Sequence, residues 1–419
     1  MRAALLATAL GVLASVGTAH AQSSAPERAQ DLCMVGAHKT QRATVLQLLP
    51  RRTPAYFSDA ELSELERRLN NLGIFDSVQV RRTPACVEVK VREKWTLIPS
   101  FQLTTGHSFE QSYIALGLTE YNFLGTANQL MVYGHREPRG WGFGTLYAEH
   151  SYRRHGWALA GELAYSVKGL RFQETGHERS WDVHSPSVSA WFTSPPVVSK
   201  YLNFQVGGTY ALQFVNNVKG DYDPTAATKH APTTFISLAW DHYQWHDVTP
   251  RGYRIGLWLA TGLSAGGSAP KLRDSAELWL NGALPLWQHA ALVARLGNSL
   301  RTRGDPNFNA GLGSTSGVRG LKDAYYQNWA QSLANLELRQ GVQLARRWVL
   351  QGVLFGDAAL FEQLTSTGAR GESGAALGVG AGMRLIPTFL AALLLRVDVS
   401  RLLVPDELWF VQLGVSQYF

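Results

Sequence analysis

Ala334-Asn335-Leu336-Glu337-Leu338-Arg339 and Leu354-Phe355-Gly356-Asp357-Ala358-Ala359-Leu360 are the stretches whose reading decides the fold. Successive side chains of an extended strand point to opposite faces. In the first stretch Ala334, Leu336 and Leu338 share one parity, and Asn335, Glu337 and Arg339 share the other. In the second, Leu354, Ala358 and Leu360 lie opposite Asp357. An apolar row backed by a row of charged groups suits a strand with one face to lipid and the other to a polar lumen, as in a transmembrane antiparallel β-barrel.

The same texture runs outward from these stretches over most of the chain. From Trp95 onward, segments of about ten residues alternate apolar with small or polar positions, and about sixteen can be counted by this pattern. Examples lie at 113–121, 157–167, 202–214, 233–240, 253–263, 292–300 and 408–419. Short connections at Asn122-Phe123-Leu124-Gly125, Pro285-Leu286-Trp287 and Ile386-Pro387 alternate with long ones at 169–184, 215–231 and 302–330. Short periplasmic turns and long external loops produce that asymmetry. All thirteen tryptophans fall in this region, where interfacial aromatic belts would place them. A water-soluble β-sandwich or propeller also has many short strands. It would not need an export signal, however, and no internal repeat of fixed period is visible.

Mean hydropathy is −0.11, and no apolar segment is long enough for a spanning helix. The nearest, 389–395, is closed by Pro387 and Arg396. The net charge of +7 is dispersed, which fits anionic lipid head groups or a polar lumen and argues against nucleic acid as a partner.

The N-terminus reads differently. Arg2, an apolar run from Ala4 to Val16 and Ala19-His20-Ala21 have the layout of a cleavable secretory signal over 1–21, too short to span as an anchor. Residues 22–30 form a polar linker, and 31–94 read as strand, helix, helix, strand, strand. Val45, Leu48 and Leu49 mark one side of the first helix, which Pro50 ends. Ser58-Asp59-Ala60-Glu61 is a capping box opening the second, carried by Leu62, Leu65, Leu69 and Leu72 and stopped at Gly73. Residues 75–80 and 87–91 alternate as strands of one sheet.

Gly36-Ala37-His38-Lys39-Thr40, Arg68-Leu69-Asn70-Asn71-Leu72-Gly73-Ile74-Phe75-Asp76-Ser77-Val78 and Val87-Glu88-Val89-Lys90-Val91-Arg92-Glu93 together resemble a POTRA domain. Glu93-Lys94-Trp95-Thr96-Leu97-Ile98-Pro99 resembles the junction into the barrel of the bacterial surface-antigen superfamily, the BamA/TamA-like proteins related to the FhaC transporters. In the region 95–419, Val318-Arg319-Gly320-Leu321 is similar to the V/I-R-G-F/Y motif that folds the sixth external loop of that superfamily into the lumen. Asn335-Leu336-Glu337-Leu338-Arg339 resembles its acidic motif, and Phe355-Gly356-Asp357-Ala358-Ala359 its F-x-D-x-G motif. Leu321 departs from the aromatic of the first motif and Ala359 from the final glycine of the last. Because a guanidinium is always charged and forks onto carboxylates, Arg319 is expected to latch its loop to Glu337, Asp357 or both. The last strand, with Gly414 and terminal Phe419, resembles the signal read by the barrel-assembly machinery, although Gln417 interrupts its apolar row.

The resemblance implies an outer-membrane barrel of a Gram-negative bacterium with its POTRA domain in the periplasm. It would insert or translocate unfolded outer-membrane or exported clients. A passive pore or surface antigen is the alternative, and a barrel hydrolase a further one. Enzyme motifs are weak: Gly313-Ser314-Thr315-Ser316-Gly317 has threonine where a nucleophile elbow needs serine, and Gly311, Gly313 and Gly317 lack the setting of a phosphate loop. His242 and His246 have a metal-binding spacing only on a helix, and here they fall at a strand end and turn. No catalytic residue, cofactor or metal is therefore expected.

Cys33 and Cys86 are the only cysteines. In the oxidising periplasm they would form one disulfide worth about 4 kcal/mol by chain entropy; the alternative is two separate buried thiols. Thiol labelling of denatured, unreduced protein decides: no free sulfhydryl is expected for the disulfide, two for the alternative.

Overall fold

The computed structural model describes residues 31–49, 56–104, 112–137, 140–149, 157–174, 177–194, 201–219, 228–246, 249–266, 270–303, 305, 307–308, 310–313, 317–321, 326–390, 393–405 and 407–415. The expected signal at 1–21, the linker at 22–30 and Phe419 lie outside them.

Residues 31–93 build a small α+β unit: β1 (Asp31–Val35), α1 (Arg42–Leu46), α2 (Asp59–Asn71), β2 (Phe75–Arg82) and β3 (Cys86–Glu93). The sheet order is β1-β3-β2, with β1 parallel and β2 antiparallel to the central β3. Cys33 and Cys86 are joined in a disulfide that ties β1 to β3.

The helix α1 is shorter than the sequence pattern implied. After Leu46 the Leu48 amide donates to the Val45 carbonyl and the Leu49 amide to Leu46, three residues back, so the chain tightens while Val45, Leu48 and Leu49 all stay buried. At α2 the capping box is formed: Ser58 Oγ accepts from the Glu61 amide at 3.3 Å, and the Ser58 amide donates to Glu61 Oε2 at 3.0 Å. Gly73, at φ +72°, supplies the left-handed turn that ends it. Leu65 and Leu69 are fully buried against Val78, Val87 and Val89, each contributing roughly 1.5–3 kcal/mol.

From Leu97 the chain forms a closed antiparallel barrel. Nineteen strands make the ring; Gln244–His246, Lys271–Leu272 and Ala310–Leu312 are short side pairings, which leaves sixteen between the rims. The rim where Leu97 leaves the small unit is called here the near rim. No helix among the described residues is long and apolar enough to cross a membrane. The strands carry the apolar surface instead: Leu336, Leu354 and Leu360 are about half or more exposed on the outer wall, while Glu337 and Asp357 are buried inside. Exposed Trp157, Trp240 and Trp287 ring the near rim, and Trp141 and Trp409 the far one, as amphipathic rings do at the two lipid–water interfaces.

Two of the expected long loops are largely strand. Ala158–Glu174 and His177–Thr193 pair over their whole length to Glu174↔His177, and Leu202–Lys219 and Thr228–Asp241 extend well into 215–231. Glycines and charges disguised these segments. Leu170, Phe172, Trp181, Val183 and Val215 alternate within them and form a small core of their own beyond the membrane belt. The tall hairpin leans over the far mouth, where Trp181 Nε1 donates to Asn307 Oδ1 at 3.0 Å and Arg179 Nη1 to Ser366 Oγ at 3.1 Å. His242 stacks with Tyr253, ring centroids 5.8 Å apart, and meets Tyr201 at a tilt with centroids 4.6 Å apart, as part of the near aromatic belt.

If the outer wall faces lipid, Leu336→Arg should destabilise the barrel by about 2–4 kcal/mol, read from denaturant unfolding in lipid vesicles. Leu354→Ala, which keeps the wall apolar, should cost far less.

Candidate functional site: the buried loop motif and the seam

The loop carrying Val318-Arg319-Gly320-Leu321 enters the barrel before its twelfth strand, Tyr326–Ala345. Its turn is made locally: the Gly317 and Val318 amides donate to the Gly313 carbonyl at 2.9 and 3.2 Å, and the Leu321 amide to Val318 at 3.1 Å. Gly320 adopts φ +93°, and a Cβ there would lie 3.2 Å from Ser400 Oγ and 3.3 Å from Phe410 Cδ2, so the turn needs glycine.

The Arg319 guanidinium spans two strands. Its Nε and Nη2 donate to Asp357 Oδ2 and Oδ1 at 2.7 and 2.8 Å, its Nη1 donates to Glu337 Oε1 at 2.7 Å, and its backbone amide donates to Asp357 Oδ2 at 3.1 Å. Its Cζ sits 3.4 Å from the Phe355 ring centroid, adding a cation–π contact. Asn335 Nδ2 donates both to Asp357 Oδ1 at 2.9 Å and to the Gly317 carbonyl at 2.7 Å, so one side chain orients both the acid and the loop.

The structure brings further charges to this point. Arg339 Nε donates to Glu337 Oε2 at 2.7 Å, and Arg384 Nη2 to Glu337 Oε1 at 3.0 Å. Asp398 Oδ2 lies 3.8 Å from Arg319 Nη1 and 3.6 Å from Arg396 Nε. Four guanidiniums, of Arg319, Arg339, Arg384 and Arg396, thus surround three carboxylates, of Glu337, Asp357 and Asp398, all 3% exposed or less. Sequence reasoning named Arg319, Glu337 and Asp357 and placed Arg339 on the inner parity; it missed Arg384, Arg396 and Asp398. The signal for these was the same alternation, in Met383-Arg384-Leu385 and Leu395-Arg396-Val397-Asp398-Val399.

Around the charges the loop is packed in apolar material. Val318 and Leu321 are buried with Leu312, Leu333, Phe361, Leu402 and Phe410, with Ala359 in the same cluster. Leu321, which replaces an aromatic residue of the resembled motif, is only 2% exposed. At Gly378 a Cβ would come within 2.6 Å of the Arg319 carbonyl, so the loop lies directly on the fourteenth strand, Arg370–Pro387. The motif therefore touches every strand from the twelfth to the sixteenth.

The seam is the other notable feature. The last strand, Leu408–Val415, meets the first, Leu97–Thr104, through three residue pairs among the described residues: Gln412↔Thr104, Leu413↔Leu103 and Gly414↔Gln102. Gly414 of the expected C-terminal signal lies in this seam on the inward parity, and Trp409, Val411, Leu413 and Val415 share the outward one.

On the first-strand side, the small unit is fastened to the first near-rim turn. The Gln41 amide and Thr44 Oγ1 donate to the Gly125 carbonyl at 2.8 and 2.9 Å, and Asn122 Nδ2 donates to Thr40 Oγ1 at 2.9 Å. Lys39 Nζ reaches Glu120 at 2.7 Å, and Ala127 belongs to the small unit's apolar core. Glu93 accepts amides of His38, Lys39 and Thr40 at 3.1, 3.0 and 2.7 Å. Burial pushes the Glu93 carboxyl up, but the Thr40 hydroxyl and these amides outweigh it and hold the group below its ordinary value.

No protein-family model matches the chain, and no curated protein matches it either. Solved structures match in fold. BamA from Haemophilus ducreyi lacking POTRA domains 1-3 is 16% identical with a TM-score of 0.56, over 92% of this chain and 84% of that one. CdiB from Escherichia coli is 13% identical with a TM-score of 0.63, over 92% and 76%. CdiB from Acinetobacter baumannii is 13% identical with a TM-score of 0.60, over 92% and 73%. The chain shares with them the architecture of a closed sixteen-strand barrel.

Removing the Arg319 side chain would leave Asp357 with the Asn335 amide and the backbone amide of residue 319 but no guanidinium, whereas Glu337 keeps Arg339 and Arg384. Breaking a buried pair in this way costs about 3–5 kcal/mol. Arg319→Ala should lower unfolding stability by that order and expose the loop around 317–321 to protease in intact micelles. Unaltered loop protection would refute the latch.

Proposed function

We propose that the protein is an outer-membrane insertion or translocation factor of a Gram-negative bacterium. Residues 31–94 are its periplasmic POTRA domain, which receives unfolded clients, and residues 95–419 are the barrel that inserts or conducts them. Outer-membrane lipid surrounds the wall, and the barrel-assembly machinery installs the protein itself through the signal that ends in Phe419.

The observation that carries this reading is a closed barrel whose interior is filled by a loop latched to the inner wall. Opening a barrel wall in hydrocarbon strands backbone amides and carbonyls, each at a cost of several kcal/mol. The seam between the first and last strands is the joint of the ring whose partners no hairpin links, so it can part without stretching a turn. An arriving strand can take up the same groups, so client pairing replaces what opening removes. The fold shared with BamA and CdiB supports the assignment.

The passive pore or surface antigen is the second reading. Against it stands the loop motif, which fills the strand-twelve-to-sixteen side of the lumen and leaves its charges 3% exposed or less.

Two measurements test the proposal. Depletion of the protein should selectively reduce particular outer-membrane barrels or exported proteins in a quantitative proteome; an unchanged proteome would favour the pore. Cross-linking the seam through Leu103→Cys and Leu413→Cys should abolish client handling by folded protein, with recovery on reduction. Full activity of the cross-linked barrel would exclude the seam as the route.

A further inference from the structure

The outer wall of the barrel is not evenly filled. Toward the far rim, Ile236, Leu259, Ala276, Leu300 and Ala330 lie side by side in one outward row that crosses five strands. Leu259 and Leu300 project from this row and Ala276 between them does not, so the wall recedes into a cavity of about 780 Å³. A second cavity of about 610 Å³ adjoins it across Leu300 and Trp329, over the row Leu278, Asn298, Ser332 and Leu360. Ser332 Oγ donates to Asn298 Oδ1 at 2.7 Å, so the two polar groups of that row are bonded to each other. Trp329 stands at a bulge, between Asn328 opposite Gln363 and Ala330 opposite Glu362, and bulges re-aim side chains.

The rim side of the first cavity is polar and charged, with Asp274 and Arg303 both lining it. Asp274 Oδ1 accepts from the Thr261 hydroxyl at 2.7 Å, and the Arg303 guanidinium lies over the Trp329 ring, 5.1 Å from its centroid. Neither forms an ion pair with the other or with any further group among the described residues. A carboxylate and a guanidinium thus face one cavity, each steadied by a different neighbour and each without a counter-charge, above an apolar floor of two lobes.

We propose that this groove is a binding site for a two-chain zwitterionic phospholipid whose headgroup carries an ammonium. Its phosphate takes the Arg303 guanidinium in charge-assisted hydrogen bonds, and its ammonium takes the Asp274 carboxylate. The two chains lie in the two cavities, against Leu259 and Leu300 in one and Leu278 and Leu360 in the other. Hydrocarbon chains in a bilayer are already out of water, so the cavities select by fit and chain number, and the headgroup charges supply the preference. An anionic phospholipid would bring net negative charge beside Asp274 with nothing to offset it. A multi-chain glycolipid bisphosphate would bring more chains than there are cavities and a second phosphate with no cation to meet it.

The site lies on the lipid-facing wall and is independent of client handling, so its failure leaves the assembly role standing. The full chain in detergent micelles is titrated with phosphatidylethanolamine, phosphatidylglycerol or lipid A, and bound lipid is counted by native mass spectrometry. One phosphatidylethanolamine should be retained in preference to phosphatidylglycerol. Arg303→Gln should weaken both phospholipids about fivefold, the worth of one cation at a membrane surface. Asp274→Asn should remove the preference, weakening phosphatidylethanolamine and not phosphatidylglycerol. Ala276→Phe, which fills the first cavity from the lipid side, should abolish retention while the barrel keeps its heat-modifiable migration on gels. Equal binding of the two phospholipids, or a preference that survives Asp274→Asn, would overturn the zwitterionic occupant, as would displacement of phosphatidylethanolamine by equimolar lipid A. Retention unchanged by Ala276→Phe would overturn the groove as the site.

Discussion

Backbone hydrogen bonding in hydrocarbon is the constraint from which the rest of the structure follows. A strand in lipid cannot leave its amides and carbonyls to water, so a sheet that crosses must close on itself. Closure explains the alternating apolar wall, and it explains why the interior holds the charged groups that the wall excludes. It also makes the joint between the first and last strands the place in the ring where partners at opposite ends of the barrel sequence must pair.

Inside the barrel, electrostatics does what apolar packing cannot. Burying a guanidinium or a carboxylate is costly unless each finds an opposite charge in good geometry. Arg319 meets that condition through a forked contact to Asp357, a third bond to Glu337 and the face of Phe355. Glu337 is in turn shared by Arg339 and Arg384, so the loop is locked into a network that already joins neighbouring strands. The apolar contacts of Val318 and Leu321 exclude water around it, and this low-dielectric setting strengthens each ionic bond.

The small unit and the loop divide the seam between them. Asn122, Gly125 and Ala127 of the first near-rim turn are built into the small unit, so the first strand is braced from the near rim. The last strand is braced from within, where Phe410 packs in the loop cluster and Gly320 lies against it. The joint thus lies between two separately supported edges.

Much of this was legible in the residues. Period-two alternation around Glu337 and Asp357 specified strands with an inner and an outer face, because that period is a property of the extended backbone alone. The capping box at Ser58 and the leucine spacing after it specified α2 for the same local reason. Other features depend on groups far apart in the chain. The extended hairpin around Leu170 and Trp181 was read as loop because its glycines and charges look like turn residues until its apolar rows are seen to pack on one another. Arg384, Arg396 and Asp398 stand on inward parities like many lumen residues, and only strand register brings them to Glu337 and Arg319. The hydrogen bond from the Val80 amide of β2 to Glu66 of α2 is likewise invisible in the chain, since a helix carboxylate meets a strand amide fourteen residues away only after packing. Sequence by itself determined which face of each element is apolar; tertiary structure decided which charges share a site and how firmly each edge is held, because contact distances are set by closure and packing.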